Sequence, residues 1–376
     1  LLTKNSVGSG LLSIPAAMAA GRGTGMGPAL VMLVASYLLN SFTMVALARC
    51  IQETGARNFR ELWEFTLGRR SAWAANTMIC LMNFGVLLMY SCFIGETFSR
   101  LLLLVPGLPS TLAGRTPAIL GLTSVVLFPL CMVRKMAALS ITSVLGLGSV
   151  VYTLVFIYTR LFDGSYGPGG RFFTVMAEAL HPARGEVPFG QIGLGSTVLM
   201  GTFSFAYVTQ YNVFKYYEGL KNRSIKRFSK VVYSGNLLAG AFYILSIFAF
   251  LAFGMNSQSF ILNNFHASAD ALATVARLAM GISVLTSYPL IFMALRDSFC
   301  NIVKPFQTRQ GILGLLGATA ASVEVSDRAW STINFILLSA LTAMSLVFTD
   351  IGFIVGFSGS LLGSAVAFVL PSTMCL

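Results

Sequence analysis

The sequence predicts an all-α polytopic membrane protein made of two five-helix halves in opposite orientation, with the first helix of each half broken. Three observations carry this. Of the 376 residues, 56% are hydrophobic and only 10% are charged, against roughly 25% charged in a soluble globular domain. The apolar residues fall in runs of about 18 or more, the length a helix needs to cross about 30 Å of hydrocarbon. A Gly- and Pro-rich loop divides those runs into two sets of five. Regular polar/apolar alternation in ten-residue units is absent, which excludes a transmembrane β-barrel.

The expected spans are residues 6–20, 28–48, 72–104, 117–133, 137–160, 192–216, 228–254, 267–296, 329–348 and 350–372. The third is longer than a straight crossing needs, so strong tilt or an extension beyond the bilayer is expected. Between the second and third spans, "NFRELWEFTLG" (Asn58 to Gly68) reads as a short amphipathic helix lying along the interface. The chain divides into a first repeat (1–162), an outer loop (163–191, with "DGSYGPGGR" and "HPARGEVPFG") and a second repeat (192–376) of one transmembrane domain. Five is odd, so the second half enters the membrane from the opposite side, which is the arithmetic of an inverted repeat. The chain starts without Met and stops at "FVLPSTMCL"; it reads as trimmed at both ends, and no cleavable signal peptide is visible.

The net charge of +12 is read as orientation rather than nucleic-acid binding, because in a polytopic chain the placement of Lys and Arg matters more than their sum. With the start of the chain in the cytoplasm, eighteen basic residues fall inside, among them Arg57, Arg69, Arg134, Lys215, Lys221, Lys304 and Arg309. Six fall outside: Arg22, Arg100, Arg115, Arg160, Arg171 and Arg184. Arg277 remains, about ten residues into the eighth span, where an unpaired charge costs roughly 2.5–3.5 kcal/mol. It is expected to face the protein interior or a water-filled vestibule.

An inverted repeat predicts that the first and sixth spans break near the midplane. The first reads "TKNSVGSGLLSIPAAM", with Gly8, Gly10 and Pro15 in one short apolar segment, where glycine costs a helix about 1 kcal/mol and proline about 3. The sixth carries Gly193, Gly195 and Gly201, then Ser204, Thr209, Gln210 and Asn212. Glycine lets backbone leave helical geometry and lets a ligand approach it, with N–H groups at the next half-helix facing a carboxylate. The alternative for Gly8, Ser9 and Gly10 is a small-residue packing face; the matching break in the sixth span favours a site.

Gln210 and Asn212 are either interhelical glue or ligand contacts. Thr286 and Ser287 precede Pro289, which frees a carbonyl one turn earlier; they are either hard-oxygen ligands for Na⁺ or hydroxyls bonded back to their own helix. Lys4, one turn before Gly8, is either a snorkelling anchor or part of the site. The six cysteines show no CxxC spacing, and His181 and His266 have no ligand-spaced partner; neither metal nor cofactor is expected. No nucleophile–base pair, phosphate loop or paired carboxylates appear, so an enzyme is not expected.

"KNSVGSGLLSIPAAM", "TFSFAYVTQYNVFKYYEGLKNRS", "SYPLIFMALRDSF" and "FSGSLLGSAVAFVLPS" resemble, in order and spacing, the first, sixth, eighth and tenth spans of the amino acid/auxin permease family. This family lies within the amino acid-polyamine-organocation superfamily. It includes sodium-coupled neutral, proton-coupled and vacuolar amino acid transporters. The resemblance implies the five-plus-five inverted-repeat transporter fold (LeuT-like), usually followed by an eleventh span beyond Leu376. It implies secondary active transport of an amino acid, with a neutral substrate expected, by alternating access across a plasma, vacuolar or lysosomal membrane. By position, Gly8, Ser9 and Gly10 meet the substrate carboxylate, and Phe205, Ala206 and Tyr207 line the pocket and offer carbonyls to its amino group. Thr209 and Gln210 follow them, and Tyr90 supplies a third wall. Many relatives carry His where this chain has Gln210. Sodium-coupled members have Asn where this chain has Lys4, as proton-coupled members do; Lys4 with Thr286 and Ser287 therefore forms the expected ion-coupling set, favouring H⁺ over Na⁺. An amino-acid sensor that binds the same ligand and signals without net flux stays open as the rival. The implied partners are the substrate and the lipid bilayer, with partner proteins unspecified.

Overall fold

A computed structural model describes residues 2–132, 140–183, 185, 187–303, 327–348 and 351–375. Arg134, Lys135, Arg184, Lys304 and Arg309 of the charge asymmetry lie outside the described residues, as does the side chain of Ser9. The described chain is helical and holds no strand, only an isolated bridge between Ala183 and Gly254.

The first apolar segment is broken as the Gly and Pro content requires. Helix α1 (Leu2–Ser6) stops at Val7, a 3₁₀ turn runs over Ser9–Ser13, and α2 (Ile14–Ala19) begins with Pro15 in its first turn, where a missing N–H is harmless. Helix α3 (Met26–Thr54) ends on Gly55, whose φ of +68° is the left-handed cap that glycine adopts without strain. The amphipathic piece is α4 (Phe59–Leu67). Its cap is reciprocal: Glu61 N–H donates to Asn58 Oδ1 at 2.9 Å, while Asn58 Nδ2 reaches Glu61 at 2.7 Å. Phe59, Leu62 and Trp63 are buried on one face.

Helix α5 (Trp73–Leu102) is 30 residues long, about 45 Å at 1.5 Å per residue, and so outreaches the hydrocarbon as expected. The fourth segment is α6 (Arg115–Leu122), a π turn over Thr123–Leu127 and α7 (Phe128–Cys131). The fifth segment is α8 (Ser140–Phe162). The sixth segment is broken like the first: α9 (Ser196–Tyr207), a 3₁₀ turn over Gln210–Asn212, then α10 (Val213–Glu218). There follow α11 (Ile225–Phe253), α12 (Ala271–Val303) with Pro289 inside it, and α13 (Asp327–Val347). The last segment is α14 (Ile351–Phe357), two π turns over Ser358–Gly363 and Ala365–Val369, and α15 (Leu370–Met374).

Seven of these segments are long and apolar enough to cross a membrane among the described residues. The first, fourth and sixth of the ten expected spans are shorter or interrupted. Helices α5 and α12 are the most buried of the long helices and pack along each other, with α8 against α12 and α3 against α11. Val31 and Phe42 of α3, Val144 of α8 and Phe335 of α13 point outward and exposed, the reverse of a soluble surface and the arrangement lipid demands.

At one end, Gly25 N–H and Gly27 N–H donate to Gln191 and Phe189 carbonyls at 2.9 and 3.1 Å, and Ala183 N–H to Phe253 O at 3.0 Å. The loops after α2, α8 and α11 thus share that end. Arg160 forks onto Asp270 at 2.8 and 2.7 Å, joining the end of α8 to the start of α12. The other end carries Arg57, Lys215 and Arg296 and is the basic end.

Arg277 faces the interior, as its position in the span requires. Its guanidinium donates to the carbonyls of Leu262 and Phe265 at 2.6 and 2.7 Å and to Asn263 at 3.3 Å, and Asn263 continues to Glu96 at 2.9 Å. It fastens the loop before α12 to the helix. Arg277→Leu removes the Phe265 carbonyl's donor, worth about 1–3 kcal/mol when left unpaired, while the Leu262 carbonyl keeps the Phe265 N–H at 3.2 Å. A drop in Tm of about 5 °C or more is expected in detergent-solubilised protein; an unchanged Tm contradicts the anchoring role.

Candidate functional site

The two breaks meet. At the first, Gly8 is extended (φ −110°, ψ −155°) and its N–H bends back to Ser6 O at 3.0 Å, outside the helical ladder. At the second, Val208 is extended (φ −64°, ψ 110°). Between them lies a cavity walled by Gly8 and Gly10 on one side, Phe205 and Ala206 on the other, Tyr90 with Val86 and Met89 from α5, and Ile291 from α12. Its volume is about 20 Å³, room for roughly one water, so an amino acid enters only as the walls part.

The two glycines are not equivalent. A β-carbon on Gly8 would stand 2.7 Å from the Tyr90 hydroxyl, closer than carbon and oxygen approach without bonding, whereas one on Gly10 would meet Phe205 at 3.6 Å, an ordinary contact. The Tyr90 hydroxyl therefore hangs directly over the Gly8 backbone. No lining side chain is charged: Asn5, Ser6 and Tyr211 supply the remaining polar groups.

Of the expected site residues, Gly8, Gly10, Tyr90, Phe205 and Ala206 come together here, and Tyr207, Thr209 and Gln210 do not. The Tyr207 ring is fully buried against Tyr243 of α11, edge to face with centroids 4.9 Å apart. The Thr209 hydroxyl lies 3.4 Å from Met44 Sδ of α3. Gln210 turns away from the cavity: Nε2 donates to Asn40 Oδ1 at 3.1 Å and Thr43 Oγ1 at 3.2 Å, and Oε1 accepts the Thr209 N–H at 2.9 Å. Unwinding orphaned that N–H, and the Gln210 amide satisfies it while pinning the break to α3.

Sequence reasoning missed Tyr243. Its hydroxyl lies 2.6 Å from Ser6 O and 2.8 Å from Ala206 O, placing one donor between carbonyls of both breaks. A tyrosine in the middle of the apolar run 228–254, ten residues beyond Tyr233, is the signal that pointed to it.

Lys4 is buried at the junction of α1, α12 and α8. Its ammonium donates to Ser283 Oγ at 2.7 Å, and Ser283 donates on to Gly146 O at 3.2 Å. A β-carbon on Gly146 would collide with the Lys4 ammonium and its last methylene, so Gly146 makes the room. Thr286 and Ser287, the expected partners, bond back to Ser283 O at 3.0 and 2.7 Å. Ser283, one turn earlier on α12, takes their place beside Lys4.

Two larger spaces flank the cavity. One of about 400 Å³, lined by Ala20, Thr202, Met255 and Gln258, opens toward the end with the long loop. The other, about 360 Å³, lies at the basic end and is lined by Asn58, Asn76, Tyr211 and the ion pair Lys215–Asp297, 2.9 Å apart.

Apolar outer faces and long membrane-crossing helices define a multi-pass integral membrane protein, with a small central cavity at two helix breaks. The chain matches the family described as transmembrane amino acid transporter protein over residues 1–376 and belongs to it. It is 23% identical, over 98% of its length and 76% of the relative's, to a Danio rerio protein named as a candidate sodium-coupled neutral amino acid transporter 11. It is 25% identical to the amino acid transporter AVT6E of Arabidopsis thaliana, covering 93% of this chain and 73% of that one. It is 21% identical to vacuolar amino acid transporter 2 of Saccharomyces cerevisiae, covering 98% and 73%. These are transporters, not enzymes.

Proposed function

We propose that the protein is a secondary active transporter of neutral amino acids that works by alternating access, with H⁺ rather than Na⁺ as the coupling ion. The observation that carries this is the central cavity at the two helix breaks, with a vestibule at each end of the bundle. In this reading Gly8, Ser9 and Gly10 receive the substrate carboxylate on backbone N–H groups, and Tyr90, Phe205 and Ala206 enclose the side chain. The uncharged lining favours a neutral substrate, since a charged one would be buried unpaired. The breaks of the first and sixth segments support two inverted five-span halves, with the basic end cytoplasmic. Lys4 supports the choice of H⁺: its ammonium occupies the junction of α1 and α12, the place that the family resemblance assigns to a sodium ion. Purified protein in proteoliposomes, given each neutral L-amino acid under an imposed pH gradient, is expected to accumulate label. Saturable binding without flux would identify a sensor instead.

A further inference from the structure

We propose that Asn83 and Asn76 line the route by which substrate passes between the central cavity and the basic-end vestibule, and that the Asn5–Tyr211 hydrogen bond closes it. The inference rests on the transport reading. Tyr211 is the residue that lines both spaces among the described residues. Its hydroxyl accepts from Asn5 Nδ2 at 3.0 Å, tying α1 to the turn after α9 and separating the two spaces.

On α5, Tyr90 lines the cavity and Asn76 lines the vestibule. Asn83 sits midway. Steps of seven residues advance about 10.5 Å along a helix and drift only about 20° around it, so the three form one stripe. Across from them, Ile291 of α12 lines the cavity and Ala294 the vestibule, and α5 and α12 pack along each other. The stripe therefore runs between the two spaces beside the helix that flanks both.

Asn83 is completely buried, and neither its Oδ1 nor its Nδ2 has a partner among the described residues; Asn76 Nδ2 is in the same position. Interhelical glue bonds to a neighbouring helix, as Asn236 does to Ser41 at 3.0 Å. Asn83 does not. An amide buried and unpaired in one conformation and hydrated in another is suited to a path that opens and closes. It also suits the cargo: an amide both donates and accepts, so it can pass the ammonium and the carboxylate of a zwitterion, while a fixed charge would trap one of them.

The test places Asn83→Cys in a background with all six native cysteines replaced by alanine, reconstituted in proteoliposomes. A membrane-impermeant methanethiosulfonate is applied from the face that bears Arg57 and Lys215. Labelling is expected to speed up several-fold during exchange of a mixture of neutral L-amino acids. Adding Tyr211→Phe, which removes the closing bond, is expected to raise labelling without any amino acid, and Asn76→Cys is expected to label in either condition. Asn83→Cys that stays unlabelled from this face in the Tyr211→Phe background, or that labels only from the opposite face, overturns the route. The Tyr211→Phe measurement needs no flux, so its failure is separable from failure of the transport reading, which uptake by the unmodified protein reports.

Discussion

Gly8→Ala is expected to lower amino acid uptake about ten-fold or more, while Gly10→Ala stays within about three-fold of wild type. The difference is steric. The new methyl at Gly8 falls 2.7 Å from the Tyr90 hydroxyl, whereas the methyl at Gly10 finds 3.6 Å of clearance from Phe205. Overpacking of a filled site costs about 1–3 kcal/mol, and here the displaced ring is itself a wall of the cavity. The same geometry predicts a rescue. With Tyr90→Phe the offending oxygen is gone and the nearest ring carbon lies 3.8 Å away, so Gly8→Ala/Tyr90→Phe is expected to recover uptake toward the level of Tyr90→Phe alone. Radiolabelled uptake, normalised to protein in the liposomes, decides it. Equal loss in the Gly8 and Gly10 variants, or no rescue by Tyr90→Phe, would return both glycines to a simple packing role.

Replacing Na⁺ by choline at constant pH is expected to leave uptake unchanged, and Lys4→Asn is expected to cut its response to an imposed pH gradient about five-fold or more. The ammonium of Lys4 reaches Ser283 on α12 and, through it, Gly146 on α8. In the proposed cycle the protonated ammonium supplies at this junction the positive charge that a bound metal ion would otherwise bring, and the neutral amine leaves α1 and α12 free to separate. Acid on the side from which substrate enters should therefore drive uptake, and alkali there should slow it. Gly146→Ala gives an independent check, because its methyl takes the space of the Lys4 ammonium without touching the charge; it should reproduce the loss of pH response. Wild-type uptake that collapses in choline would make Lys4 a structural anchor and the coupling ion Na⁺.

The sequence by itself determined the membrane class, because 56% hydrophobic residues in span-length runs leave no soluble alternative. It determined the break in the first segment, because Gly8 and Gly10 weaken a helix there, and it placed α4 through the local Asn58–Glu61 cap. It also predicted a break in the sixth, which falls at Val208 and Thr209 rather than at the glycines, with Gly201 inside α9. Arg277 was legible too, since a charge ten residues inside a span has few places to go. Only the tertiary structure decided which way the polar side chains point. Gln210 was expected at the substrate and instead bonds Asn40, 170 residues away; Lys4 was expected beside Thr286 and Ser287 and instead meets Ser283, 279 residues away; Tyr243 reaches Ser6 across 237. The physical reason is common to all three. In a soluble helix the apolar stripe tells which side faces the core, but the long helices here are apolar all round because lipid replaces water outside. Periodicity then carries no direction, and the partner each buried polar group finds is set by contacts between segments distant in the chain.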